Sequence, residues 1–457
     1  MTARFRPHLI ATLSLGLPLI GGHLARMAIG VGDTVMVGWY GVEALAALVL
    51  ATSLQFILFM LGSGYAIGVM GRLAAALTRG DETEMRRATR MTLWLGALHT
   101  VLVLPVMWFS EPIMLALGQE PLLAALAQDY LRIACFGVFA MLWGMTLNNF
   151  LASMERTQFA LWVTVLGLPL NVALNWVLIF GNLGAPEMGV RGAALASIAV
   201  QFLQLAVMAI YVTWLPATRH FQLFARFWRP DWPAFREILF MGLPVGMTLV
   251  AEVGMFVGVN FMMGWIGTLE LAAHGIALQV ASVAFMVHLG LANAATVRVG
   301  QAQGRGDRPG LRDAALTVLA ISLVFSAISA AVFVVFSADI VRLYLDFDNP
   351  QAGAILTIAV GLMIWAAAFQ FADGLQCVVM GLLRGVQDTR IPMLIGLLSY
   401  WPVGLGAGYV LAFPLGMGAA GLWAGLLIGL CAAALLLMWR FWGGYARRVW
   451  TTGGPAR

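Results

Sequence analysis

Twelve stretches of this 457-residue chain are each apolar over about 20 residues or more. That is the length an α-helix needs to cross the hydrocarbon of a bilayer, and its repetition leaves few folds open. The runs lie at about 12–38, 45–71, 91–110, 128–150, 159–181 and 190–213, then 238–263, 272–297, 314–337, 353–380, 392–412 and 418–439. The longest polar connection, 214–237, falls between the sixth and seventh. The chain is 61% hydrophobic and 10% charged, against about 25% charged in a soluble domain, so lipid must be its main solvent. The expected fold class is an all-α polytopic membrane protein. Its N-terminus, MTARFRPHLIATLSLGLPLI, looks like a signal peptide, but its apolar run continues through Gly38 with no A-x-A site. It is read as a retained first helix. Cys135, Cys377 and Cys431 sit in apolar runs without CxxC spacing, which points to neither a disulfide framework nor a zinc site.

The net charge of +5 is a topology signal rather than a mark of nucleic-acid binding. All 26 basic residues are arginine. Twenty-two of them, including Arg4, Arg6, Arg447, Arg448 and Arg457, fall in one alternating set of connections, while the other set holds only Arg191 and Arg342. Arg26 and Arg132 lie within apolar runs. By the positive-inside rule, both termini and the linker are expected in the cytoplasm.

The chain also repeats itself. A shift of 226 residues superposes Gly16-Leu17-Pro18 on Gly242-Leu243-Pro244, Met36, Gly38, Trp39 and Gly41 on Met262, Gly264, Trp265 and Gly267, and Leu45-Ala46-Ala47 on Leu271-Ala272-Ala273. The match runs on through Gly64 and Gly290, Arg72 and Arg298, and the tripeptides Arg79-Gly80-Asp81 and Arg305-Gly306-Asp307. Six crossings separate the copies, so both insert with the same orientation. Such parallel repeats are related by an axis along the membrane normal, with the substrate pathway at their interface. The expectation is two six-helix lobes related by a pseudo-twofold axis of that kind: 1–213, a cytoplasmic linker 214–237, and 238–457.

Charged groups at membrane depth cost about 2.5–3.5 kcal/mol each on insertion scales, so each asks for a reason. The first run holds His23, Arg26 and Asp33, the seventh Glu252, and the tenth Asp373; the eighth carries Gln279, His288 and Asn293. Asn171 and Asn175, four residues apart, share a helix face. Ionised carboxylates offer hard oxygens to a sodium ion, and desolvated ones can carry a proton instead. The structural alternative is pairing with neighbours for assembly, and for the asparagines interhelical glue. His23 and His288 read as polar packing or cavity lining. Arg26 occupies the repeat position of Glu252 and lies two turns from Asp33, a pairing partner if its role is structural.

In these residues the chain resembles the multidrug and toxic compound extrusion (MATE) transporters of the bacterial NorM type. The resemblance rests on Asp33-Thr34-Val35-Met36, Asn171 to Trp176, Gly184-Ala185-Pro186-Glu187, Glu252, Ala272-Ala273-His274, Val297-Arg298-Val299-Gly300, Asp373 and Leu383-Arg384-Gly385. It implies twelve helices in two lobes and export of cationic, often aromatic compounds in exchange for Na+ or H+. It assigns cation coupling to Glu252, Asp373 and Asp33, with Glu252 and Asp373 the candidate Na+ ligands. It assigns an N-lobe polar cluster or substrate role to Asn171 and Asn175, to which Arg26 is added. Two departures stand out: Phe369 where a tyrosine is expected, and Arg26 where an uncharged polar residue is expected.

The expected function is therefore a secondary active multidrug antiporter of the bacterial inner membrane. It would work as a monomer without a cofactor, in contact with lipid and small cationic substrates but not nucleic acid. Two alternatives stay open: a flippase for lipid-linked oligosaccharides, favoured only by Arg26, and a membrane-embedded transferase. Against an enzyme stands the lack of an HExxH or GxSxG motif or a comparable nucleophile–base constellation, and without a Walker A sequence ATP is not the expected energy source.

Overall fold

A computed structural model describes residues 2–346 and 350–446. Arg447, Arg448 and Arg457, three of the arginines used to read topology, lie outside the described residues. Among the described residues, twelve helices are long and apolar enough to cross a membrane. They are α1 (Thr2–Tyr40), α2 (Val42–Arg79), α3 (Glu82–Trp108), α4 (Pro121–Ser153), α5 (Thr157–Phe180) and α6 (Gly189–Trp214), followed by α7 (Trp232–Ile266), α8 (Thr268–Gly304), α9 (Arg308–Val335), α10 (Ala352–Gly385), α11 (Arg390–Ala412) and α12 (Gly418–Trp439). Each of the twelve apolar runs lies within or close to one helix. Most helices are longer than their run, because a helix continues past the apolar stretch until a cap stops it.

The repeated Arg-Gly-Asp shows such a stop. Gly80 (φ +69°) and Gly306 (φ +67°) take the left-handed conformation that ends α2 and α8, which glycine adopts without a Cβ penalty. The Asp81 N–H returns to the Ala76 carbonyl at 3.0 Å and the Asp307 N–H to Ala302 at 2.9 Å. Each aspartate then caps the next helix, its carboxylate accepting from the Glu84 or Gly310 N–H at 2.9 Å, the usual N-cap exchange. One tripeptide writes the same helix–turn–helix twice.

By internal packing the chain divides into two units, residues 21–246 and residues 1–20 with 247–457. The division falls inside α1 and α7 at equivalent repeat positions, Ile20 and Gly246, so the start of each leading helix packs with the opposite half of the sequence from the rest of it. Glycine makes this possible. In the first unit, a Cβ on Gly64 of α2 would strike the backbone of Gly242 and Gly246 in α7; in the second, one on Gly290 of α8 would strike Ile20 of α1. Small residues at such crossings let helix backbones approach closely.

Within the first unit α4 packs against α2, α3 and α6; within the second α10 packs against α8, α9 and α12. Among the described residues the first unit has two apolar clusters, one around Leu131, Val138 and Met107, the other around Leu73, Met85 and Phe150. The second has one, around Met255, Met363, Leu383, Trp423 and Leu430. Arg132, an arginine inside an apolar run, donates to the Trp108 carbonyl at 3.2 Å and lies over the Trp108 ring. Its guanidinium so finds partners at the end of α3, while its stem stays apolar.

Candidate functional site

Each unit carries a cluster of polar side chains that includes membrane-run carboxylates. In the first unit, α1 supplies Asp33, α5 supplies Asn171 and Asn175 one turn apart, and α6 supplies Ser197. Asn175 Nδ2 donates to Asp33 Oδ1 at 2.6 Å and to Asn171 Oδ1 at 3.2 Å. Ser197 Oγ donates to Asp33 Oδ2 at 2.7 Å and accepts a long 3.5 Å bond from Asn171 Nδ2. Both Asp33 oxygens are thus held by neutral donors. The amides and the hydroxyl are buried, and Asn175 Oδ1 has no hydrogen-bond partner. Tyr130 of α4 lies within electrostatic reach of Asp33. The i, i+4 spacing of the asparagines made their shared face legible in the sequence; Ser197 gave no such signal among the many serines of the spanning helices.

Arg26 does not join this cluster. It is exposed and makes no hydrogen bond or ion pair to a described residue; the group that feels its charge is His23, three residues before it. Pairing with Asp33, the structural explanation considered from the sequence, does not occur here.

In the second unit the site is built from α7, α10 and α11. Glu252 projects from the middle of α7. Asp373 and Gln376, three residues apart on α10, share a face. Asp373 and Glu252 lie within electrostatic reach of each other. Gln376 Nε2 donates a long bond to Glu252 Oε1 at 3.4 Å and a short one to the Tyr400 hydroxyl. Tyr400 is completely buried. It sits in a wide, π-helical segment of α11, Ser399–Leu405, that contains Pro402; such segments recur at functional positions. α11 is fixed to α7 beside Glu252, because Trp401 Nε1 donates to the Ala251 carbonyl at 3.1 Å and the Trp401 and Leu405 side chains cover Gly254 and Gly258. Those two glycines provide packing room.

Phe369, the departure from the expected tyrosine, is buried edge-on to Trp423 and Phe256. It contributes no oxygen, and the phenol hydroxyl near Glu252 belongs to Tyr400. Asp373 accepts no hydrogen bond among the described residues, and Gln376 Oε1 is buried and unpartnered. Two carboxylates and a phenol oxygen, bridged in part by the Gln376 amide nitrogen, therefore gather in the second unit, a set of oxygens that a hard cation or a proton suits. Arg384, in the last turn of α10 and buried, lies within electrostatic reach of Glu252 and Tyr400. Spacing from Asp373 could have pointed to Gln376, but nothing in the sequence pointed to Tyr400. His288 of α8 is fully buried, with Ser322 Oγ 3.0 Å from Nδ1 and Ser326 Oγ 3.4 Å from Nε2. It is a packed polar residue, as its sequence context predicts.

This arrangement of twelve helices with carboxylates at depth is that of a polytopic transporter fold. The MatE family model matches residues 18–177 and 244–410, two segments that begin 226 residues apart, the period of the internal repeat. The chain belongs to the MatE family. It is 48% identical over 434 residues, covering 95% of this chain and 93% of the relative, to the probable multidrug resistance protein NorM of Rhizobium meliloti. It is 38% identical to the multidrug resistance protein NorM of Burkholderia vietnamiensis, with 95% and 94% covered. Among solved structures, an outward-facing multidrug resistance MATE family transporter of the MOP superfamily superposes with a TM-score of 0.86 at 20% identity, covering 98% of this chain and 97% of that one. A MOP superfamily transporter from Pyrococcus furiosus gives 0.86 at 21%, with 97% of each chain covered.

Proposed function

We propose that this protein is a secondary active multidrug antiporter, exporting cationic amphipathic compounds in exchange for Na+ or H+. The observation that carries the reading is the pair Glu252 and Asp373 at the middle of α7 and α10, ringed by Gln376 and Tyr400, with acceptor oxygens left unpartnered. Family membership and the NorM relatives support it. The coupling cation is held by Glu252 and Asp373, and Asp33 with Asn171 and Asn175 forms the second polar site. Cation and cationic substrate compete for acidic groups, and each shifts the equilibrium between two conformations by its difference in affinity for them. The protein resides in the bacterial inner membrane, with six-helix lobes at 1–213 and 238–457, the linker 214–237 and both termini cytoplasmic. It acts as a monomer and needs no cofactor.

Ethidium efflux from proteoliposomes under separately imposed sodium and proton gradients tests this. One gradient is expected to drive efflux. Glu252→Gln and Asp373→Asn should each slow it about tenfold or more, since a hydrogen bond to a charged group contributes about 1.5–3 kcal/mol and 1.4 kcal/mol is tenfold. Efflux driven by neither gradient, or left intact in both variants, sinks the proposal. A second reading, a flippase of lipid-linked oligosaccharides, draws on Arg26, whose unpaired guanidinium suits an anionic headgroup. It predicts that Arg26→Gln abolishes transport while Asp373→Asn does not.

A further inference from the structure

The cavity that this function leaves unused lies at the end of the first unit, outside both polar clusters. It has a volume of about 370 Å³ and is lined by Arg87, Arg90, Met91, Arg229, Pro230, Asp231, Trp232 and Pro233. Such a volume falls within the range of small-ligand sites. Three arginines and one carboxylate face it, a net +2 before any ligand.

Two of the arginines and the carboxylate are held in place by contacts. Arg87 pairs with Asp231 through its Nε and, at 3.1 Å, through Nη2, which holds the Asp231 carboxyl below the usual carboxylate range. That pair is neutral as a whole. Arg90 donates through Nε to the Leu223 carbonyl at 2.5 Å and through Nη2 to Gln222 at 2.6 Å, so two neutral carbonyls orient its charge without cancelling it. Arg229 is exposed and has no side-chain partner among the described residues. The linker that brings it here is shaped by two non-glycine residues in the left-handed region, Gln222 (φ +48°) and Arg226 (φ +53°). Such conformations persist only where surrounding contacts enforce them. Trp94 Nε1, donating to the Phe227 carbonyl at 3.0 Å, adds another such contact.

The position of the cavity selects the ligand. Arg87 and Arg90 stand in the first turns of α3 and Trp232 opens α7, so the site sits where spanning helices leave the hydrocarbon. Trp228 and Trp232, 72% and 57% exposed, flank Arg229. Exposed tryptophans belong at headgroup level, and basic pockets between spanning helices bind anionic headgroups. We propose that this cavity is a binding site for the phosphate of an anionic phospholipid, with Arg90 and Arg229 as its cationic ligands and Trp228 and Trp232 beside the glycerol and upper acyl chains. A lipid held there would fasten the linker to α3.

Native mass spectrometry of the full-length protein, titrated with phosphatidylglycerol or phosphatidylcholine, tests the site. The wild type should retain phosphatidylglycerol at least fivefold more tightly than phosphatidylcholine. Arg229→Gln, at a side chain with no partner among the described residues, should weaken phosphatidylglycerol about fivefold, from about 1 kcal/mol per basic residue near an anionic surface. Arg305→Gln, which removes the same charge from an exposed position in the other unit, should leave binding unchanged. Equal retention of the two lipids, an unaffected Arg229→Gln, or an equal loss in Arg305→Gln overturns the site. So does displacement of phosphatidylglycerol by inorganic phosphate at equimolar concentration, which would make it a site for soluble phosphate.

Discussion

Tyr400 brings to the polar cluster of α7 and α10 a phenol oxygen that Phe369 does not supply. Phe369 leaves α10 without a phenol where relatives of this type are expected to carry one, while the wide turn of α11 brings a buried hydroxyl to Gln376, itself bonded to Glu252. If that hydroxyl serves the coupling cation in the proposed mechanism, Tyr400→Phe, which keeps the ring and its packing, should raise the half-saturating cation concentration about tenfold. This is the low end of a hydrogen bond to a charged group. Ethidium affinity without cation should be little changed. Cation-dependent quenching of bound ethidium fluorescence in detergent measures both, and an unchanged cation titration would remove Tyr400 from the site. Glu252, Asp373, Asp33 and the two asparagines were readable one by one because polar groups in apolar runs are costly and few. Tyr400 and Ser197 were not, since tyrosine and serine in spanning helices carry no such cost signal, and Gln376 was marked only by its spacing from Asp373.

At the level of helices, the glycine crossings decide how closely the leading helices pack. A side chain on Gly64 has no room against the α7 backbone at Gly242 and Gly246, whereas one on Gly30 of α1 meets nothing within 4 Å. Gly64→Leu is therefore expected to destabilise the protein by at least the 1–3 kcal/mol typical of overpacking, seen as a clear fall in the melting temperature of the purified protein. Gly30→Leu should melt within a degree or two of wild type. Equal melting of the two variants would mean that α2 and α7 can separate without loss. Helix positions were legible because length and apolarity define them. Their true ends were less so, because caps such as Asp81 and Asp307 and the π-helical turn in α11 depend on local hydrogen bonds that hydropathy ignores.

For the molecule as a whole, the arginine bias makes a claim about topology that the proposed export direction needs. A fluorescent protein that matures only in the cytoplasm, fused after Arg457, should fluoresce in the bacterial cell, and a periplasmic phosphatase at the same point should stay inactive. The reverse pair would invert the orientation and with it the transport direction inferred above. The sequence by itself determined the solvent, the helix count, the duplication and the buried carboxylates, because each follows from the cost of placing polar atoms in hydrocarbon and is paid locally, residue by residue. Only the tertiary structure decided that the units divide at Ile20 and Gly246, that Tyr400 and Ser197 complete the polar clusters, that Arg26 stands apart from Asp33, and that Arg229 returns to the arginines of α3. Those outcomes depend on contacts between residues far apart in the chain, whose geometry is set by helix packing and leaves no periodic trace in the sequence.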